Sequence, residues 1–251
     1  MHVTLQFHPD WPSGGAMVIE AMARDGVYRS QFETGTSNGG LTAHPGGDRW
    51  RWESRLFGGR YDDAPASARP VYGAWNRRKD PYGAAIRFGS AYLRLRPEVV
   101  ERCTFCFPDS VLEPTEVVGP DELPRLCALA DESGLDDLDD CVEAHVHGRV
   151  SLDDDVEAVV LDPCHRGTRV EEAARSLGCA VEWHPGFRLR TAGLDPGYRG
   201  TRYVALAQRL GDVLAPDVLG AAAREGRYDP QALKRVWHYL ARFGRVGPAS
   251  A

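Results

Sequence analysis

The sequence predicts an α+β protein with a mixed or antiparallel central sheet, flanking helices and a C-terminal helical appendage. Three observations lead to this fold class. Apolar and polar residues alternate in several segments of strand length, beginning with residues 3–8. Residues 156–183 read as a strand, a helix and a strand in succession. From residue 198 onward the pattern is helical only, which predicts an α+β catalytic domain over residues 1–197 and a helical extension over residues 198–251.

The composition is that of an ordinary globular chain. Of its 251 residues, 43% are apolar and 26% are charged, so the chain can bury enough apolar surface to offset the entropy lost on folding. The formal net charge of −6 gives no overall attraction to nucleic acid, whose binding domains usually carry a basic face. No apolar run approaches the roughly 20 residues that a membrane-spanning helix needs.

The six cysteines are expected to be reduced thiols. A chain of this length without a recognisable signal peptide is typical of a reducing compartment rather than of a disulfide framework. The cytoplasm is therefore the expected location. A toxin or effector delivered into another cell by a signal-independent route would show the same pattern.

Strands, helices and glycine-rich turns follow one another in the N-terminal half. After the first strand, residues 16–24 predict a helix that Gly26 ends. Residues 28–40 are polar and rich in glycine, which predicts a structured loop. Residues 86–95 alternate as a strand, and residues 102–107 are expected to form its neighbour.

Two helices of the C-terminal half carry clear capping signals. Thr168 and Glu171 form a capping-box pattern for a helix that ends at Gly178. Asp229 as N-cap and Pro230 at the first helical position begin the last helix. The buried face of that helix is expected to consist of Leu233, Val236, Trp237, Leu240 and Ala241.

Three titratable side chains share one face of a predicted strand over residues 142–147. Because residues two apart in a strand point the same way, Glu143, His145 and His147 lie together, and the apolar residues between them face the core. A glutamate beside a histidine is a ready acid/base pair, which makes Glu143 and His145 the candidate catalytic residues. The alternative is an edge strand whose polar face is exposed to water.

The loop over residues 28–40 is the second candidate site. Arg29 can clamp a pyrophosphate, Ser37 and Asn38 can supply neutral hydrogen bonds, and the glycines let the backbone approach a ligand. An anionic or nucleotide ligand fits this set, although neither a Walker sequence nor a G-x-G-x-x-G run is present. The alternative is an ordered Ω-type loop without a ligand.

Two further patterns favour packing over chemistry. Residues 49–53 interleave arginine with tryptophan and could stack on bases, but a short run of this kind more often packs a loop onto the core. Cys103 and Cys106 have the spacing of half a zinc site, but no second pair at finger spacing accompanies them. We therefore expect them to be part of a buried strand.

Most of the chain resembles a bacterial protein family of unknown function, through residues 28–42 and 142–163, the run Pro-Val-Tyr-Gly-Ala at 70–74 and the run Arg-Phe-Gly-Ser at 87–90. The order of its pieces is also similar to that of ADP-ribosyltransferases: an opening strand with His or Arg, a helix, a Tyr or Ser segment leading into a central strand, and a late strand bearing Glu. This second resemblance implies an ADP-ribosyltransferase-like fold, NAD as co-substrate and a protein or nucleic acid as acceptor.

The same resemblance implies a role for each matching residue. Glu143 would stabilise the ribose as nicotinamide leaves, His8 or Arg29 would hold the other ribose or the pyrophosphate, and Tyr72 would stack on the nicotinamide. The helical tail would help to recognise the acceptor. The chain departs from the family pattern because it lacks a Ser-Thr-Ser run and because His145 and His147 follow Glu143 where a Glu-x-Glu or Gln-x-Glu pair is usual.

Two other functions remain open at this point. A metal-dependent hydrolase or oxygenase would use His145 and His147 as ligands, with a third ligand from His8, His165 or His184. The other is a non-catalytic nucleotide-binding or antitoxin-like module.

Overall fold

A seven-stranded sheet forms the centre of the structure, a computed structural model that describes residues 1–35 and 42–247. Its strands are β1 (Val3–Phe7), β2 (Val71–Trp75), β3 (Ala91–Leu95), β4 (Cys103–Cys106), β5 (Glu143–Val146), β6 (Val156–Leu161) and β7 (Ala180–Trp183). The strand order is β7-β6-β3-β1-β2-β5-β4. Only β6 and β7 pair in parallel, and the other five pairs are antiparallel. The predicted α+β class with a mixed sheet is confirmed.

Helices cover both faces of this sheet. The longer ones in the described residues are α1 (Val18–Asp25), α2 (Asp48–Leu56), α3 (Leu123–Glu132), α4 (Arg169–Arg175), α5 (Thr201–Leu210), α6 (Pro216–Glu225) and α7 (Pro230–Phe243). Single helical turns lie at Gln31–Thr34, Ile86–Phe88, Ser110–Leu112 and Pro196–Arg199, among others. No helix in residues 1–35 or 42–247 combines the length and the apolar character needed to cross a bilayer.

The two faces of the sheet differ in chemistry. One face is apolar: Val3, Leu5 and Phe7 of β1 join a core cluster that includes side chains of α1, α3 and α4. The opposite face is polar and nevertheless buried or half-buried. It carries Thr4, Gln6, Tyr72, Thr104, Cys106, Glu143 and His145. Buried polar groups are costly unless they are paired or used, so this face is where a site is expected.

The C-terminal helices pack beside the polar face. Their cluster includes Leu233, Val236 and Trp237 together with Tyr82 and Ile86 from the N-terminal half. Asp229 caps α7 by accepting a hydrogen bond from the backbone N–H of Gln231 at 3.0 Å, and Pro230 begins the helix. The predicted buried face of α7 is confirmed. The domain boundary at residue 197 stays a prediction.

Three predicted elements differ from the structure. The strand predicted over residues 86–95 begins only at Ala91, because Ile86–Phe88 form a helical turn and Gly89 crosses the backbone of Phe7 so closely that a Cβ would lie 2.2 Å from it. The segment 102–107 pairs with β5 rather than with β3. The glycine-rich loop contains a helical turn, Gln31–Thr34, whose N-cap is Ser30. Its Ser37 and Asn38 lie outside the described residues.

Candidate functional site

Strands β4 and β5 bring the candidate residues together. Glu143 lies directly opposite Cys106, and His145 lies opposite both Thr104 and Tyr72 on the two neighbouring strands. β5 is therefore the second strand from the edge, not an edge strand with a wet face, and that alternative is wrong. The exposed fraction is 5% for Glu143 and 0% for His145.

Cys106, Glu143 and His145 form a compact group of three potential metal ligands. His145 Nε2 lies 3.0 Å from Glu143 Oε1, and Cys106 Sγ lies 3.8 Å from that oxygen and 3.7 Å from that nitrogen. In a tetrahedral zinc site with ordinary bond lengths, neighbouring ligand atoms are roughly 3.3–3.6 Å apart. The three atoms are therefore spaced so that one cation can contact all of them after small shifts.

A chain of hydrogen bonds supports His145 through Nδ1, the ring nitrogen that does not face Glu143. Thr104 Oγ1 lies 3.1 Å from His145 Nδ1 and 2.8 Å from His147 Nε2, and the Tyr61 hydroxyl lies 2.6 Å from His147 Nδ1. Burial, followed by the positive charge of His145, lowers the pKa of His147 to about 4, so His147 is neutral near pH 7. A ligating histidine characteristically bonds through its other ring nitrogen in this way.

Glu143 is held from its other side by Ser110 and Arg49. Ser110 Oγ donates to Glu143 Oε2 at 3.1 Å, and Arg49 Nη1 donates to Ser110 Oγ at 3.1 Å. Burial alone would raise the pKa of Glu143, but the hydrogen bond and charge of His145, with the charge of Arg49, outweigh it and bring the pKa below its ordinary value. Burial and the nearby charge of Glu143 raise the pKa of Asp109, next to Ser110, to about 6.

Helix α2 covers this group. Glu53 is fully buried, forms an ion pair with Arg69 and accepts a hydrogen bond from Tyr72 at 2.9 Å. The Arg49 guanidinium lies 4.7 Å above the Tyr72 ring. Just after the helix, Phe57 meets the His145 ring edge-on at 5.1 Å. Residues 49–53 are therefore helical, with Arg49 and Glu53 buried, and do not form the packed loop expected from the sequence.

The predicted dinucleotide-binding residues are dispersed. Tyr72 lies at the site, opposite His145. His8 lies beyond the end of β1, with its ring stacked 4.3 Å from that of Trp11. Arg29 pairs with Asp25 at 3.1 Å and lines a separate cleft of about 310 Å³. Neither His8 nor Arg29 makes a described contact with Glu143.

Most of the metal ligands expected from the sequence also lie outside the group of ligand atoms. Thr104 separates His147 from the group of ligand atoms. His184 bonds the backbone oxygen of Ser90 at 2.7 Å, and His165 lies buried near Asp10. In the part of the chain that the structure describes, Cys106, Glu143 and His145 are the residues whose ligand atoms all lie within 4.8 Å of one another.

Sequence reasoning missed Cys106, Ser110 and Arg49 as members of the site. Cys106 lies 37 residues before Glu143 in the chain and reaches it only across the β4–β5 pair. The Cys-x-x-Cys spacing was a signal, but Cys103 lies on the opposite, apolar face of β4, opposite Val146. Only one cysteine of the motif therefore takes part.

The fold and the site define an α+β protein with a buried Cys–Glu–His group on the polar face of a mixed sheet. The model of a protein family described as "Protein of unknown function (DUF3626)" matches residues 2–133 and 122–243. The chain belongs to this family, as the resemblance to a family of unknown function indicated. A search of curated proteins finds no match.

Proposed function

We propose that the chain is a metal-dependent hydrolase in which Cys106, Glu143 and His145 bind a divalent transition-metal ion, most favourably Zn²⁺. One observation carries the proposal: the three ligand atoms lie 3.0, 3.7 and 3.8 Å apart on two paired strands. This set replaces the histidine-based ligands expected from the sequence.

The chemistry of the ligands favours zinc and hydrolysis. A thiolate, an imidazole and a carboxylate together suit Zn²⁺ better than Mg²⁺ or Ca²⁺, which prefer oxygen ligands. Three protein ligands leave one position of a tetrahedral site open, as in catalytic zinc sites. A bound Zn²⁺ supplies Lewis-acid activation and no redox chemistry, so hydrolysis is a better fit than oxygenation.

The hydrogen-bond chain from Tyr61 to His145 accommodates a cation without losing a bond. In one direction Tyr61 donates to His147, His147 to Thr104, and Thr104 to His145, whose Nε2–H then faces Glu143. In the other direction His145 Nδ1–H donates to Thr104, and the lone pair of Nε2 is free for a metal. Every member of the chain keeps a donor or acceptor role in both directions.

A substrate approaches from the Glu143 side. Cys106 and His145 have no exposed surface, whereas Glu143 keeps an exposed fraction of 5%. Ser110 and Arg49 border that side. The carboxyl of Asp109, whose pKa is raised to about 6 by burial and by the charge of Glu143, lies at the same place and suits proton transfer near neutral pH.

Metal content tests the proposal directly. Protein purified under reducing conditions is expected to retain about one zinc per chain, by the three-ligand argument, measured by mass spectrometry of the metal. Exchange with Co²⁺ is expected to give a near-ultraviolet thiolate-to-cobalt band. Cys106→Ser and His145→Ala are expected to lose both signals.

Cys103→Ser is the matched control, because Cys103 lies on the same strand but in the apolar core. It is expected to keep the metal and the cobalt band. A folded wild-type protein that retains no metal and gives no cobalt band would refute the hydrolase proposal.

The second candidate keeps Glu143 as the catalytic carboxylate of an NAD-consuming enzyme of ADP-ribosyltransferase or NAD glycohydrolase type. The observation in its favour is that Tyr72 and Glu143 lie on adjacent strands of one buried face, with Arg49 over the Tyr72 ring. Nicotinamide release from NAD that is lost in Glu143→Gln and insensitive to chelator supports this candidate. Loss of activity on chelation supports the hydrolase.

A thiolate ligand also has a consequence for the cellular compartment in which the protein works. All six cysteines are free in the structure, and Cys106 must be reduced to bind a metal. The proposal therefore places the protein in a reducing compartment such as the cytoplasm.

A further inference from the structure

The hydrogen-bond chain from His145 to Tyr61 leads from a fully buried ring toward the surface. His145 has no exposed surface, whereas His147 is half-buried and Tyr61 is 7% exposed. Thr104 Oγ1 lies 3.1 Å from His145 Nδ1 and 2.8 Å from His147 Nε2. The Tyr61 hydroxyl lies 2.6 Å from His147 Nδ1. All three links are within hydrogen-bond distance.

The chain has no side branch in the described residues. Phe57 meets the rings of His145, His147 and Tyr61 edge-on, at centroid distances of 5.1, 5.4 and 5.4 Å, and offers them no conventional hydrogen-bonding group. Thr104 Oγ1 and the two ring nitrogens of His147 bond to no other described group. A proton that moves along the chain therefore has one route.

Thr104 couples the two histidines. A neutral imidazole has one N–H donor and one nitrogen that accepts, and a hydroxyl has one proton to donate. Thr104 uses its hydroxyl fully when it donates to one ring and accepts from the other. The tautomer of His145 therefore sets that of His147, which burial keeps neutral near pH 7.

We propose that Thr104, His147 and Tyr61 form a proton relay between His145 and water at the surface, and that the group facing His145 Nε2 sets its direction. When Nε2–H donates to Glu143, His147 carries its proton on Nε2. When Nε2 accepts a hydrogen bond or binds a metal, His147 carries its proton on Nδ1. The relay rests on the hydrogen bonds alone, and only its reversal by zinc rests on the proposed function.

The reversal conserves protons. His145 gives up its Nε2 proton on the side of Glu143 and takes one at Nδ1 from Thr104. Thr104 takes a proton from His147, His147 takes one from Tyr61, and Tyr61 takes one from water. One proton thus enters at Tyr61 and one leaves beside Glu143, while each residue of the relay keeps its number of protons.

Glu143→Gln tests the relay without a metal. Ser110 accepts from Arg49 and donates to the Glu143 oxygen that faces it. The amide of the variant is therefore expected to keep its oxygen toward Ser110 and to present its N–H to His145 Nε2. That nitrogen must then accept, which reverses the relay.

The measurement is made on the full chain labelled with nitrogen-15 histidine, at pH 8, where an ordinary imidazole is neutral. Two-bond proton–nitrogen correlations show which ring nitrogen carries the proton, and His147→Gln identifies the signals of His147. We expect the proton of His147 on Nε2 in the metal-free wild type. We expect it on Nδ1 in Glu143→Gln and in the zinc-loaded wild type.

Substitutions of Thr104 separate a relay from a structural role. Thr104→Val removes the link, so His147 is expected to show the same tautomer with and without Glu143→Gln, and Thr104→Ser is expected to restore the change. Thr4→Val is the matched control, because Thr4 is buried on the same face of the sheet and accepts only from the backbone N–H of Ala84 among the described residues, at 3.0 Å. It is expected to leave the change intact.

The relay and the metal centre fail separately. If Glu143→Gln reverses His147 and the wild type binds no metal, the relay stands and the proposed function is wrong. If zinc binds and the tautomer of His147 stays the same, the relay is wrong and the metal proposal is unaffected. A tautomer change that persists in Thr104→Val also overturns the relay.

Discussion

Ser110 is the residue through which Arg49 acts on Glu143. Its hydroxyl donates to Glu143 and accepts from Arg49, both at 3.1 Å. Ser110→Ala removes both bonds, so we expect metal affinity to fall by roughly 10- to 100-fold, as for other residues that orient a ligand. Competition with a chromogenic chelator measures this change.

Ser90→Ala provides the comparison. Ser90 is as deeply buried as Ser110, but its hydroxyl has no partner in the described residues. We expect this variant to keep wild-type affinity. Similar affinity in both variants would show that Ser110 has no orienting role.

His8 makes stability depend on pH. Burial, then the charges of Lys234 and His165, lower its pKa from 6.5 to about 3. Between these values the unfolded chain binds a proton that the folded chain does not, so the free energy of unfolding rises with pH and falls as the pH drops below about 6.5. One such proton gives at most about 1.4 kcal/mol per pH unit.

His8→Gln removes this titration. Urea unfolding between pH 4 and pH 6.5 is expected to show a smaller slope of stability against pH in the variant than in the wild type. The aromatic contacts of His8 with Trp11 and Trp237 are lost at every pH, so they lower the whole curve without changing its slope. An unchanged slope contradicts the prediction.

The residue types of the site were predictable, but their partners were not. Period-two alternation placed Glu143 and His145 on one face correctly. Cys106, Ser110 and Arg49 reach this face from other parts of the chain, and a single sequence does not reveal which distant segments meet.

At the scale of elements, α2 is fixed to the segment that leads into β2 by a buried ion pair. Glu53 is fully buried and Arg69 is 4% exposed. Glu53→Leu leaves Arg69 without its partner, and we expect a loss of about 3–5 kcal/mol of unfolding free energy in urea titrations. The double variant Glu53→Leu with Arg69→Met removes both charges and is expected to be more stable than the single one. A double variant less stable than the single variant would contradict this account.

Local signals predicted several elements and failed where a distant contact decides the structure. The cap of α7 and the strand over residues 156–161 depend on neighbouring residues, and both were predicted. The acidic run over residues 131–140 is a pattern typical of a solvated connector. In the structure Asp140 is buried against Arg77, which donates to both of its carboxylate oxygens at 2.7 Å. Such neutralisation by a distant arginine is invisible in a local pattern.

At the scale of the whole molecule, composition predicted the class but not the arrangement. The formal charge of −6 conceals buried arginines such as Arg49 and Arg69. The strand order follows from pairings such as Thr4 with Arg94 and Cys106 with Glu143, which no periodicity encodes. The polar, buried face of the sheet is a product of that order.

The central position of β1 also shapes how the chain must fold. β1 pairs on one side with β2, where Val3 meets Trp75, and on the other with β3, where Thr4 meets Arg94. During synthesis β1 leaves the ribosome with both edges unpaired, and the other six strands of the sheet are made after it. Contacts between such distant segments form slowly, and open strand edges attract other chains. β1, which precedes the other six strands of its sheet in the chain, is thus a segment that a chaperone has reason to shield during synthesis.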